Sequence, residues 1–188
     1  MTTPDLALLE FERERERVSR LTKKGVGMPM AGFLFWLAYA VLLRLFPIEE
    51  AVLYSFFATG MVFPLGILFT RLAGGDLFAK SPSLSGLGIQ LAALQIFFWP
   101  VLILVWNVAP AWSPFAMAVL FGSHFLPYWW LYRSAGYGML PIINTVSLVA
   151  LVMITGSPLP EIVPLVTAGA YAIAIAMVAR ENRLLPQE

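Results

Sequence analysis

The chain has 188 residues, of which 60% are hydrophobic and 12% are charged, and its formal net charge is +1. A soluble domain averages about 45–50% apolar and about 25% charged residues, so a chain of this length could not hide so much apolar surface from water. The absence of cysteine excludes disulfides, thiolate metal sites and cysteine nucleophiles, and the basic residues form no patch suited to nucleic acid.

The first segment, residues 1–25, is densely charged and predicts a cytoplasmic or interfacial helix. Acidic residues precede basic ones by three or four positions, the better orientation for helix stability, worth about 0.2–0.5 kcal/mol per pair. The pairs are Glu10–Arg13, Glu12–Arg15, Glu14–Arg17 and Glu16–Arg20. A solvated helix is the simplest interpretation, although its leucines could also hold it on a membrane surface.

Six apolar stretches follow, each with about the 20 residues needed to cross a hydrocarbon core about 30 Å thick. They lie at 26–46, 50–72, 86–108, 114–133, 136–156 and 161–180, and residues 181–188 form a tail. We therefore predict an all-α integral membrane protein, a bundle of six transmembrane helices over residues 26–180, with the lipid bilayer as its surroundings.

The basic residues predict the orientation of this bundle. Eleven of the twelve lie in the N-terminal segment, the second and fourth connections or the C-terminal end, and Arg44 is the exception. Because cytoplasmic loops carry the excess of Lys and Arg, both termini are expected in the cytoplasm. Aromatic belts agree with this frame. We assign Trp99, Trp106 and Trp112 to the outer interface, and Trp129, Trp130, Tyr132 and Tyr137 to the inner one.

No Asp, Glu or Lys lies in the middle of a predicted span, which argues against a carboxylate proton relay and against metal transport. We expect no cofactor and no metal site. The candidate residues for lining a cavity or ligand site are His124, Gln95, Gln90, Tyr128, Asn144, Ser147 and Tyr171. Such side chains need partners in hydrocarbon, so they serve either as interhelical hydrogen bonds or as a polar cavity lining.

Three prolines, Pro64, Pro100 and Pro127, fall well inside predicted spans. Each removes a backbone hydrogen bond and is expected to kink its helix. Kinks open space between helices, so they are compatible with a cavity but also common in membrane proteins.

The run from Phe121 to Ser134, FGSHFLPYWWLYRS, resembles the signature of an uncharacterised family of small polytopic bacterial membrane proteins, a domain of unknown function. The resemblance implies a location in the bacterial inner membrane and implies that His124, Pro127 and Tyr128 belong to a family pattern. It implies no activity.

Two functional hypotheses remain open. The first is a protein that binds or moves a small neutral or weakly polar solute in a bundle cavity near His124. The second is a non-transporting scaffold that docks a cytoplasmic partner through residues 1–24, and homo-oligomerisation fits either hypothesis. An intramembrane enzyme lacks sequence support: the pair Glu49–Glu50 maps to the outer rim, about 15 Å from His124 at 1.5 Å per residue.

Overall fold

The structure is a computed structural model that describes residues 3–81 and 84–185; 84% of it is helix, and those residues include no strand. The α-helices are α1 (Thr3–Leu21), α2 (Gly27–Leu45), α3 (Ile48–Ala58), α4 (Val62–Leu72), α5 (Ser85–Ala93), α6 (Trp99–Val108), α7 (Ser113–Ser123), α8 (Leu126–Tyr132), α9 (Ala135–Thr155) and α10 (Val163–Arg183). Short 3₁₀ segments lie at Lys23–Gly25, Thr59–Met61, Leu94–Phe98 and Pro110–Trp112.

Five helical runs among the described residues are long and apolar enough to cross a membrane. They are Lys23–Leu45, Ile48–Leu72, Gly86–Val108, Ala135–Thr155 and Val163–Arg183. Each has 21 to 25 residues, which matches the thickness of a hydrocarbon core. The all-helical fold and the membrane-length helices therefore agree with the composition.

The fourth predicted span, 114–133, differs from the prediction because it is divided into α7 and α8. Pro127 has no backbone N–H, and its ring would clash with the carbonyl four residues earlier, that of Ser123. The chain tightens ahead of the proline, where the Phe125 N–H donates to the Gly122 carbonyl at 3.3 Å. The helix therefore ends at Ser123 and restarts at Leu126, and neither part alone has the length of a span.

The other two interior prolines act on their helices in a similar way. Pro64 follows the 3₁₀ segment Thr59–Met61, and Pro100 follows the 3₁₀ segment Leu94–Phe98. In each case the proline removes the donor for a carbonyl four residues earlier, and the tighter segment lies across that position. Three of the six predicted spans are thus interrupted near their middle.

Helix α2 is the centre of the bundle and packs against α4 and α10. Its contact with α4 is a close approach of two backbones. A Cβ added to Gly27 would lie less than 3.0 Å from the Gly66 carbonyl and from the Thr70 backbone N. The run Gly86–Val108 is the least enclosed, and almost none of it is buried within the chain.

Helix α1 lies across one end of the bundle, so it is not solvated on all sides as its charges suggested. Arg15, Val18, Ser19 and Thr22 are buried and share one helical face, because they are spaced three and four residues apart. The Arg15 guanidinium lies 5.1 Å from the ring centroid of Trp130, a cation–π contact.

Two ion pairs join separate parts of the chain at this end of the bundle. Glu12 contacts Arg133, which follows α8, at 3.1 Å. Lys24 pairs with Glu181 near the end of α10 at 3.0 Å. The N-terminal helix, the fourth connection and the end of α10 therefore meet at one end, called the basic end below.

Candidate functional site

A cavity of about 710 Å³ lies among α2, α4, α5, α8 and the basic end. This volume is within the range of about 300–1,000 Å³ typical of small-molecule sites. His124, just before α8, and Tyr132, its last residue, both line it, and the seven residues of α8 alone rise about 10 Å at 1.5 Å per residue. The cavity therefore extends from the level of the interrupted spans to the basic end.

Aromatic side chains form a large part of its wall. Those on the wall are Phe35, Trp36, Phe63, Phe78, Phe121, Phe125, Tyr128, Tyr132, Tyr137 and Tyr171. The four residues predicted for the inner interface differ in burial: Trp129 and Trp130 are exposed, whereas Tyr132 and Tyr137 are buried. The Tyr137 hydroxyl donates to the Lys24 carbonyl at 2.7 Å, so this ring faces inward.

A helical periodicity in the sequence could have revealed part of this wall. Phe125, Tyr128 and Tyr132 are spaced three and four residues apart, and such residues share a helical face. The structure places all three on the cavity. The sequence predicted a cavity role for Tyr128 but an interfacial one for Tyr132, because tyrosines near the end of a span commonly lie at the interface.

Three polar side chains of the wall come from the interrupted spans. Thr59, Gln95 and His124 lie in or beside the three breaks and all line the cavity. Irregular backbone at membrane depth is tolerated only where it is buried in protein or lines a cavity. The proline breaks and the cavity are therefore parts of the same arrangement.

The structure brings four of the seven candidate residues together on the cavity wall: Gln95, His124, Tyr128 and Tyr171. The other three, Gln90, Asn144 and Ser147, are not on it. Gln90 is exposed and Ser147 is half-buried. Asn144 is fully buried, and its Nδ2 donates to the Ala118 carbonyl at 2.8 Å, which joins α9 to α7. Asn144 thus makes the interhelical hydrogen bond that was the alternative to a cavity role.

His124 is held by the backbone of its own turn. Its Nδ1 contacts the Phe121 carbonyl oxygen, and its ring centroid lies 4.1 Å from that of Phe125. The Tyr171 hydroxyl donates to the same carbonyl at 3.4 Å. The residue is 9% exposed, so it is an almost fully enclosed polar ring on the cavity wall.

The basic end closes the cavity with α1 and with a loop. Val18 of α1 and Thr22, directly after α1, line it, and residues 77–80 line it from the connection after α4. Hydrogen bonds hold this loop to α1. The Asp76 N–H donates to the Leu21 carbonyl and Arg17 Nη2 donates to the Lys80 carbonyl, each at 2.8 Å. The charged N-terminal helix therefore positions one wall of the cavity.

The stability of this contact between α1 and the loop depends on pH through Glu14. Its carboxylate accepts hydrogen bonds from Arg17 Nε at 2.8 Å and from Ser81, which lower the pKa of Glu14 from 4.5 to about 2. The folded-state pKa is depressed, so the stabilisation is complete above pH 4.5 and is lost as the pH falls toward 2. The pair is exposed, so we expect a small effect that salt screens.

We expect the amides of residues 77–80 to exchange hydrogen faster at pH 3 than at pH 6, after correction for intrinsic rates, because the contact loosens. Glu14→Gln removes the carboxylate, so these amides should exchange fast at both values. Glu16→Gln is the control, because Glu16 lies on a different face of α1, and the amides of residues 77–80 should exchange at the wild-type rates. The same loop carries the carboxyl group of Asp76, and an unchanged pH response in Glu14→Gln would assign the effect to Asp76 instead.

Within residues 3–81 and 84–185, no group of three or more His, Cys, Asp or Glu side chains could hold a metal ion. The only fully charged residue on the described wall of the cavity is Lys80, which is exposed at the rim. The site is therefore suited to recognition by shape, stacking and hydrogen bonding.

Comparison with known proteins assigns a family but no activity. No curated protein and no solved structure gives a significant match to the chain. A family described as a family of unknown function, DUF7010, matches residues 11–181, which include α2 to α9 and most of α1 and α10. The chain therefore belongs to this family of unknown function.

Proposed function

We propose that the protein is a multi-pass membrane protein that binds, and moves, a small neutral or weakly polar solute in the cavity beside His124. The observation that carries this proposal is the coincidence of three interrupted spans at one cavity, with Thr59, Gln95 and His124 on its wall. In transporters, discontinuous helices near the bilayer midplane commonly form the substrate site, because broken turns release backbone polar groups.

The membrane arrangement belongs to the same proposal. We count α7 and α8 together as one broken span, which makes six spans in all and brings both termini to the basic end. By the positive-inside rule this end faces the cytoplasm. The family-like run FGSHFLPYWWLYRS then indicates the inner membrane of a bacterium. Labelling of single cysteines introduced at Ser157 and at Arg183 tests it: only Ser157→Cys should react with an impermeant thiol reagent added outside.

The composition of the wall supports a solute without positive charge. Ten aromatic side chains line the wall, and the part of the chain that the structure describes places no carboxylate on it. A buried cation without a partner would be costly. A neutral solute, by contrast, loses little solvation in such a cavity and gains packing against the rings.

The test uses two glycines of α5 as a matched pair. Gly88 lines the cavity and Gly86 does not, and a Cβ added at either position meets nothing within 4 Å. Gly88→Trp should fill the cavity without disturbing the helix, and Gly86→Trp should leave it open. The probe is β-naphthyl methyl ether, whose saturable binding to the protein in lipid nanodiscs is measured by fluorescence against empty nanodiscs.

We expect wild type and Gly86→Trp to bind the probe with similar affinity, and Gly88→Trp to bind at least about tenfold more weakly, because an indole competes for the same space. Equal binding by all three proteins would overturn the proposal, as would a wild-type protein without saturable binding. Swelling of proteoliposomes in glycerol or urea then distinguishes a carrier from a receptor.

The second hypothesis, a scaffold that docks a partner through residues 1–24, must use the outer face of α1. Arg15, Val18 and Thr22 are already buried against the bundle. The outer face presents Leu6 and Leu9, which are 49% and 41% exposed. Changing Leu6 and Leu9 to Ser would remove this apolar face and leave the cavity-lining residues Val18 and Thr22 unchanged. Co-purification of a partner at the wild-type level would contradict the docking hypothesis.

A further inference from the structure

The contact between His124 and the Phe121 carbonyl determines which hydrogen-bonding group the ring has left. A carbonyl oxygen can only accept, so the Nδ1 atom that contacts it must carry the proton. A second proton would create a charge with no carboxylate nearby on the described wall to pair with it. The neutral ring therefore has an unprotonated Nε2, which can only accept a hydrogen bond.

The Phe121 carbonyl is available because of the break before Pro127. In a continuous helix, the N–H of Phe125 would bond to this carbonyl. Here that N–H donates to Gly122 instead, at 3.3 Å, and the free carbonyl accepts from His124 and from Tyr171. The tautomer of His124 is thus a consequence of the proline-induced backbone geometry.

The other groups around His124 leave its Nε2 without a partner among the residues that the structure describes. Tyr171 is engaged by the Phe121 carbonyl and by Trp36. The only hydrogen bond that His124 makes to a described group is the one through Nδ1. An acceptor in apolar surroundings with no donor costs free energy, and a bound molecule could supply the donor.

The rings beside His124 define the rest of the ligand. Phe125 lies 4.1 Å away and Tyr128 lies 6.2 Å away, centroid to centroid. The centroids of Tyr128 and Tyr132 lie 5.9 Å apart with an interplanar angle of 23°, so the wall has an aromatic surface of two nearly parallel rings. Planar rings pack well against such a surface in stacked or edge-to-face geometry.

Given the proposed function on which this step rests, we propose that the solute is a neutral, planar aromatic molecule with one hydroxyl or N–H group, which donates a hydrogen bond to Nε2 of His124. The aromatic wall holds the ring of the solute, and the fixed tautomer of His124 selects a donor over an acceptor. A molecule of the same size that offers only acceptors loses this hydrogen bond and leaves Nε2 unpaired.

The first test compares two probes that share one ring system, β-naphthol, which has a donor, and β-naphthyl methyl ether, which does not. In nanodiscs, wild type should bind the naphthol about tenfold more tightly, the equivalent of one net hydrogen bond. In His124→Phe this preference should fall to about one, whereas Ser123→Ala, an exposed neighbour, should keep it. Equal affinities in wild type overturn the donor requirement and leave the proposed function intact; absence of saturable binding for both probes removes both.

The second test needs no substitution at the site, because His124 is the only histidine. Nitrogen-15 labelling of histidine therefore yields the signals of a single ring. Without ligand, they should show a protonated Nδ1 and an unprotonated Nε2, and β-naphthol should shift the Nε2 signal while the ether does not. A protonated Nε2 in the free protein, or equal shifts with both probes, overturns the inference.

Discussion

Replacing Gly27 by alanine should lower the stability of the protein by about 3 kcal/mol, at the upper end of what overpacking costs. The new Cβ would lie less than 3.0 Å from the Gly66 carbonyl and from the Thr70 backbone N. Both atoms belong to the backbone of α4, so no side chain can rotate away. Relief requires α2 and α4 to separate, and α2 is the helix on which α4 and α10 pack.

The measurement is the thermal unfolding midpoint in detergent, and Gly169→Ala is the matched control. Gly169 also lies in a membrane-length helix, and a Cβ there meets nothing within 4 Å. The control should be neutral or gain up to about 1 kcal/mol, because alanine is the better helix former. Similar midpoints for Gly27→Ala and Gly169→Ala would refute the close approach of α2 and α4.

Lys24→Met should also cost about 3 kcal/mol, because it leaves a largely buried carboxylate without its partner. The Lys24 Nζ lies 3.0 Å from Glu181 Oε2, and the two side chains are 7% and 22% exposed. The other carboxylate oxygen of Glu181 accepts from the Gly136 N–H at 3.3 Å. Loss of Lys24 therefore destabilises the junction between α2, α9 and α10.

The double variant Lys24→Met with Glu181→Met distinguishes the cost of an unpaired carboxylate from the loss of the packing of Lys24. Replacing a buried ion pair by apolar residues of similar volume is often neutral or stabilising. The double variant should therefore recover most of the decrease in the thermal unfolding midpoint that Lys24→Met causes. Glu16→Ala, which removes an exposed pair at 3.8 Å, should change stability by less than about 1 kcal/mol. A double variant no more stable than Lys24→Met would show that Lys24 acts through packing alone.

The apolar content, the length of the apolar runs and the prolines determined the secondary structure. A run of about 20 apolar residues satisfies its backbone in lipid only as a helix. The predicted spans 26–46 and 136–156 accordingly correspond to helices Gly27–Leu45 and Ala135–Thr155. The three prolines mark the interruptions because a residue without an N–H cannot continue the hydrogen-bond ladder. Only the extent of the break at Pro127, enough to divide the fourth span, was not expected.

The sequence could not determine which side chains face inward. In a soluble protein the polar face of a helix identifies its outside, but lipid and protein interior are both apolar, so this contrast is lost in a span. Gln90 and Gln95 illustrate the difficulty, since they lie on the same predicted span and only Gln95 reaches the cavity. Asn144 and His124 are equally suited to either role by residue type, and only packing separates them.

Tertiary contacts also decided where the charged N-terminal helix packs. The sequence by itself determined that the charged segment forms a helix with internal ion pairs, observed as Thr3–Leu21, because those pairs are local. Its docking across the basic end depends on the distant residues Glu181 and Arg133 and on the loop that contains Lys80. The tautomer of His124 depends in the same way on a carbonyl that Pro127 frees and Tyr171 shares. Local pattern thus determined the helices and their breaks, and the tertiary structure alone decided that the breaks surround one cavity.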